Sequence, residues 1–175
     1  LEFRRVLFRS EFARRMAGAS LGLVEGNKGL YDGLDLHGSN SNAALAALLG
    51  APVVLVIDAR GMTRGIAPLI LGYQAFDPNV RIAGVILNQL GGSRHEAKLR
   101  AVIAHYTGVP VLGAIQRDER LNIAERHLGL VPSNETPGSS TRVKEIAECV
   151  GAQVDLGQLL AVARKAPPLV SGSTP

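Results

Sequence analysis

Three short runs of apolar, largely β-branched residues without polar alternation mark the middle of the chain: Val53 to Ile57, Ile82 to Leu87 and Val111 to Ile115. Runs of this kind read as strands covered on both faces, the usual condition of a parallel sheet. Pro52 opens the first, Asp58 and Asn88 close the first two, and Gly108-Val109-Pro110 resets the chain before the third. Between the runs the period changes. Residues 64–76 place Ile66, Leu69, Ile70 and Tyr73 near one helical face, with Pro68 close to the start, where proline is tolerated. The loop Gln89–Ser93 leads into a helix over Arg94–Tyr106. Upstream, Ser39, Asn40 and Ser41 offer N-caps for a helix over about Asn42 to Leu49, with Gly50 as its C-cap.

Further upstream, residues 11–18 read as the last two turns of a helix ending at Gly18, and Leu21 to Glu25 reads as the end of another buried strand. The predicted order is therefore helix then strand, four times over. Such alternation with short connections implies a parallel sheet with right-handed crossovers. Beyond the third run, residues 121–131 mix polar and apolar positions, 132–141 read as a loop, and 142–165 read as one or two amphipathic helices broken near Gly151 or Gly157.

Composition narrows the class. With 175 residues, 46% hydrophobic and 19% charged, the chain is long and apolar enough for one globular domain with a real core. Arg4, Arg5 and Arg9 against Glu2 put +2 of the formal +4 charge in the first ten residues. The remaining +2 is too mild for a nucleic-acid surface. A single cysteine, Cys149, excludes an internal disulfide, reads as a small core residue and fits a reducing, cytoplasmic setting. No apolar run approaches a membrane span.

The first ten residues lack the apolar segment and cleavage site of a signal peptide, and resemble the translated frame of a sequencing-adapter oligonucleotide. The expected division is a non-native leader at 1–10, a partial domain at 11–166 truncated at its N-terminus, and a Pro/Ser/Gly linker at 167–175. An exposed sheet edge, and self-association through it, is expected where the first strands would pair.

The candidate chemistry gathers at residues 23–33. The apolar run stops at Glu25, and Gly26, Gly29 and Gly33 come next. Glycine has no Cβ, so such a loop lets backbone approach a ligand closely, and open α/β sheets bind ligands at the carboxyl ends of their strands. Glu25 coordinates Mg²⁺ or caps the next turn; hard carboxylate oxygens suit that ion. Asp32 positions a substrate or is simply the first residue of an Asp-Gly turn, and Lys28 meets phosphate or solvent. Asn88, at a strand end, pairs with an adenine edge or starts a turn. Asp58 reads as a helix cap. Arg126 and His127 meet an anionic ligand or form a surface pair. His95 and His105 share a helix at a spacing that does not make a facing pair, which argues against a metal site. The chain contains neither G-x-x-x-x-G-K-[ST] nor G-x-G-x-x-G after a strand.

Glu25-Gly26-x-x-Gly29-Leu30-Tyr31-Asp32-Gly33, Gly38-Ser39, the Pro52–Asp58 strand, Gly84-Val85-Ile86-Leu87-Asn88 and Arg126-His127-Leu128-Gly129-Leu130 together resemble the cobyrinate (hydrogenobyrinate) a,c-diamide synthase family over residues 11 to about 165. Dethiobiotin synthetase and the ParA/MinD-type ATPases are the broader relatives. The resemblance implies a P-loop NTPase-like α/β fold, a three-layer sandwich around a mainly parallel sheet of the dethiobiotin synthetase/MinD type. It implies a ligase that uses ATP and Mg²⁺ to phosphorylate the a and c carboxylates of a corrinoid. Ammonia from glutamine, released by a C-terminal amidotransferase domain, then displaces the phosphate.

On that resemblance Glu25 is the Mg²⁺ ligand, and Asp32 and Tyr31 face the reacting carboxylate. Asn88 reads the adenine, and Arg126, His127, Gly26, Gly29, Gly33 and Ser39 lie near the nucleotide or substrate. It implies no nucleic-acid or membrane partner, and leaves a homodimer among the expectations. Asn27, Lys28 and Gln116 depart from the family pattern, which often has proline at the position of Gln116. Without a P-loop, this stretch is expected to be inactive and to bind ATP weakly. A dethiobiotin-synthetase-like ligase and a ParA/MinD-like ATPase switch are the alternatives, distinguished by whether an amidotransferase domain or a stop lies beyond Pro175.

Overall fold

A computed structural model describes residues 2–122, 125–126, 129–130 and 139–168. Helix α1 spans Glu2–Met16, so residues 2–10 and 11–16 form one continuous helix. Then come α2 (Asn42–Leu49), β1 (Val53–Asp58), α3 (Ile66–Phe76), β2 (Ile82–Leu90), α4 (Ser93–Tyr106) and β3 (Val111–Gln116). A 3₁₀ turn at Glu119–Leu121 leads to the short strands β4 (Glu125–Arg126) and β5 (Gly129–Leu130), and α5 (Ser139–Gly151) and α6 (Leu156–Arg164) complete the chain of elements.

The main sheet is parallel, in the order β1-β2-β3. This is the α/β layer arrangement expected from strand–helix alternation. Its core lies between the sheet and the pair α3 and α4. Leu55, Ile57, Val85, Leu87 and Ala114 from the strands meet Ile66, Ile70, Leu99 and Ile103 from the helices. Each fully buried Leu, Ile or Val contributes about 1.5–3 kcal/mol relative to exposure. Gly84 has a positional reason: a Cβ there would stand 2.7 Å from Leu112 Cγ, so only glycine lets Leu112 lie across β2.

Helix ends obey the sequence signals. Ser41 caps α2, its hydroxyl accepting from Ala44 N–H at 3.1 Å, and Gly50 closes the helix in the left-handed region at φ 63°. The predicted break after Gly151 occurs. Residues 152–155 run along the outer edge of β3, with Ala114 N–H donating to Gln153 O (3.0 Å) and Asp155 N–H to Leu112 O (2.7 Å). That edge is thereby covered. Helix α5 starts at Ser139, three residues earlier than its periodicity suggests.

Two expectations are corrected. Leu21 to Glu25 forms no strand; it is unpaired and open to solvent, with Leu23 89% exposed. A strand exists through its ladder, and no described strand lies beside this one. Second, β1 is not covered on both faces. Leu55 and Ile57 are buried, but Val56 is 65% exposed. The face that carries Leu55 and Ile57 is packed and the face that carries Val56 is open, so burial alternates although the sequence does not. Among the described residues no helix is long and apolar enough to cross a membrane.

Candidate functional site

Parallel pairing brings the carboxyl ends of the strands together, with Asp58 opposite Asn88 and Leu90 opposite Gln116. Asn88 O accepts from Ala59 N–H at 2.9 Å, which ties the β1 exit to β2. The Asn88 side chain is half-buried, and its Oδ1 accepts from Gln89 N–H at 2.9 Å. Its Nδ2 finds no acceptor among the described residues. An amide held this way presents two donors and a remaining lone pair, the pattern an adenine edge can meet. Gln89 sits at φ 61°, uncommon for a residue with a side chain. Asp58 is taken up by Arg60, which donates to it from Nε (2.9 Å) and Nη2 (2.5 Å); this pairing holds its carboxyl below the usual range.

The glycine loop is braced separately. Asn42 Nδ2 donates to Lys28 O (3.0 Å), Asp32 N–H to Gly29 O (3.1 Å) and Ala43 N–H to Leu30 O (2.8 Å). Gly26 lies against the Asn42 amide, and the Asp32 carboxylate folds over Gly29. Tyr31 donates its hydroxyl to Tyr73 O at 2.7 Å and packs its ring on Tyr73 and Phe76 of α3. Burial, helped by the charge of Asp77, pushes the Tyr31 phenol up. Asn40 Oδ1 accepts from Leu34 N–H (2.8 Å), and Asp35 accepts from His37 N–H, Ser39 N–H and the Ser39 hydroxyl.

A Cβ at Gly33 would stand 2.7 Å from Gly38 Cα, which is backbone and cannot swing aside. Gly33→Ala is therefore expected to cost about 1–3 kcal/mol, read as earlier thermal unfolding and faster proteolysis in residues 26–41.

The loop thus collects Glu25, Gly26, Gly29, Tyr31, Asp32, Gly33 and Ser39, whereas Asn88 stands at the strand ends. Among the described residues no hydrogen bond or ion pair joins the two groups. Arg126 pairs with Gly129 in the β4–β5 ladder; its side chain, and His127 altogether, lie outside the described residues. No three His, Cys, Asp or Glu side chains gather into a metal cage among the described residues. Glu25 and Asp32 are both exposed. A single open carboxylate suits Mg²⁺, which commonly takes one or two carboxylates and completes its shell with water and phosphate.

Cys149 is only half-buried, against the expectation of a core residue, with its Sγ 3.8 Å from Asp118 Oδ2. Bonding to Arg120 lowers the Asp118 carboxyl to about 2. Because the folded value is depressed, the pairing's contribution is present above the ordinary carboxylate range and fades as pH falls toward 2. A carbon-detected NMR titration is expected to find Asp118 still ionised at pH 3; a midpoint near 4 would contradict the pairing.

Side-chain contacts that the sequence does not reveal also shape this end of the sheet. His95, Gln116 and Gln153 each bridge separate segments, and the partners of Gln116 stand 24 and 37 residues away. No local pattern points to such contacts.

A family profile described as "AAA domain" matches residues 12–125. The chain is 43% identical over 166 residues to a cobyrinate a,c-diamide synthase of Magnetococcus marinus, covering 95% of this chain and 36% of that protein. It is 45% identical over 162 residues to one from Methanosarcina acetivorans (89% and 33%). To a hydrogenobyrinate a,c-diamide synthase of Thermobifida fusca it is 48% identical over 152 residues (86% and 32%). The chain spans about a third of the length of these relatives. No solved structure matches.

Proposed function

The chain belongs to the AAA domain family, and on that premise we propose that the gene product containing it amidates the a and c side-chain carboxylates of cobyrinate or hydrogenobyrinate, using ATP and glutamine. One observation carries this reading: the chain is 43–48% identical to synthases of those names over 86–95% of its length.

A carboxylate is a poor electrophile at neutral pH. Transfer of the γ-phosphoryl group to a carboxylate oxygen releases ADP and gives an acyl phosphate. Ammonia then attacks the acyl carbon, and phosphate leaves with that oxygen. Mg²⁺, when bound, neutralises phosphate charge, and Glu25 is the residue assigned to hold it. Asp32, exposed on the braced loop, faces the substrate. Tyr31 serves the same loop by anchoring it to α3 through Tyr73 O. Asn88 reads the adenine; Gly26, Gly29, Gly33, Ser39, Arg126 and His127 border the nucleotide or substrate. The same reading makes 1–10 a non-native leader, 11–166 part of the synthetase domain and 167–175 a linker to a glutamine-hydrolysing domain. It places the enzyme in the cytoplasm and keeps a homodimer among its expectations.

The test is isotopic. With carboxyl-¹⁸O substrate, turnover should place ¹⁸O in the released inorganic phosphate. Label found only in water or retained wholly in the amide would overturn the acyl-phosphate route.

A further inference from the structure

Three backbone N–H groups of the turn after Asn88 are each held by a side chain. Gln89 N–H donates to Asn88 Oδ1 (2.9 Å), Gly91 N–H to His95 Nδ1 (3.2 Å) and Gly92 N–H to Gln116 Oε1 (3.0 Å). The acceptors come from β2, α4 and β3. Acceptance at Nδ1 fixes His95 as the tautomer with its proton on Nε2, which donates to Met62 O at 2.7 Å in the loop between β1 and α3. Gln116 is engaged on both sides of its amide: Nε2 donates to Glu96 Oε2 (2.9 Å), and the other Glu96 oxygen accepts from Arg100 Nε (2.8 Å). Its backbone N–H donates to Gln153 Oε1 (2.8 Å), beside the segment that covers β3.

The turn needs this support. Gln89 at φ 61° lies in a backbone region that a residue with a side chain keeps only where the surroundings fix it, whereas Gly92 at φ 121° is in a region open to glycine. A side chain that accepts from Gly92 N–H and also donates to the Glu96 carboxylate must carry both functions on one short planar group. Glutamine does; leucine carries neither, and glutamate would set a second carboxylate against Glu96.

We infer that Gln116 and His95 are positioning residues for Asn88, locking the 88–92 turn so that the Asn88 amide keeps Oδ1 on Gln89 N–H and leaves Nδ2 free for a ligand. The functional side of this inference rests on the reading of Asn88 as the adenine-contacting residue. On this inference Gln116 and His95 act on the ligand through the turn.

The test is a double-substitution cycle in the gene product containing this chain, with Gln116→Leu, Asn88→Ala and the pair. Gln116→Leu should raise KM for ATP about tenfold and change kcat less than about twofold, the pattern of lost uniform binding. The pair should be no worse than Asn88→Ala alone, because the two residues act through one contact. Fully additive losses, or an unchanged KM, would overturn the inference. His95→Leu frees the same turn from the opposite side, and serves if Gln116→Leu fails to fold.

A second readout uses the 175-residue chain itself. Gln116→Leu should speed hydrogen exchange at Gly92 N–H and shift the Asn88 side-chain NH₂ resonances. If those resonances stay put, the positioning role is refuted. An unsubstituted gene product without ATP-dependent turnover would remove the proposed function, and the Asn88 resonances would then decide this inference alone.

Discussion

Glu25→Gln in the gene product containing this chain is expected to lower the rate of ATP- and glutamine-dependent amidation about 100-fold, the scale on which a single charge-stabilising group at a reacting centre contributes. The substitution keeps the size of the side chain and removes only its charge. Glu25 is exposed, with no hydrogen bond or ion pair among the described residues, so it braces nothing that the change would release. The loop around it is held instead by Asn42, Asn40, Asp35 and Tyr31. Thermal stability should therefore stay within about 0.5 kcal/mol of the parent, while the Mg²⁺ concentration needed for half-maximal rate rises. A loss of rate below threefold, at unchanged Mg²⁺ dependence, would remove Glu25 from the metal site. Steady-state kinetics across a Mg²⁺ titration makes the distinction.

Leu87→Ala should have the largest effect on the fold. Leu87 is fully buried in the central strand, between Ile57 opposite it on β1 and Ala114 on β3. Truncation leaves a cavity under α3 and α4, and such changes cost about 2–5 kcal/mol. Against a total of about 5–15 kcal/mol, that is a large share of the stability and should appear as a clearly lower unfolding midpoint. Leu36→Ala is the matched control. Leu36 is 95% exposed on the glycine loop, and its loss should register within about 0.5 kcal/mol in urea unfolding. Equal midpoints for the two variants would mean that the core does not lie where β2 meets α3 and α4.

The contrast between β1 and β2 marks the reach of the sequence. Both are continuous apolar runs, yet Val85 and Leu87 are fully buried while Val56 is open. Local pattern reports that a strand is apolar; its place in the sheet depends on segments elsewhere in the chain. Leu21 to Glu25 fails as a strand for the related reason that a ladder needs a neighbour. Ser41 and Gly50 were legible because capping is local chemistry, settled within four residues.

At the site, the glycine-loop residues and Asn88 stood out by their glycine spacing and strand-end positions, and the resemblance gave them roles. The contacts that hold them in place did not. Tyr31 reaches Tyr73 across 42 residues, and Gln116 reaches Gly92 and Gln153 across 24 and 37. Asn40, read as one of three possible N-caps, instead accepts from Leu34 N–H, and the role of Asp35 shows only in the backbone donors it accepts from.

Amidation of a corrinoid is the central claim, and product mass tests it most directly. The gene product containing this chain would be incubated with ATP, Mg²⁺ and glutamine, and in parallel with cobyrinate, hydrogenobyrinate and a biotin-precursor diamine. Two successive replacements of hydroxyl by amino are expected on one of the two macrocycles, with matching release of ADP and phosphate. An unchanged macrocycle with ATP consumed on the diamine, or ATP hydrolysed without any amide formed, would contradict the claim.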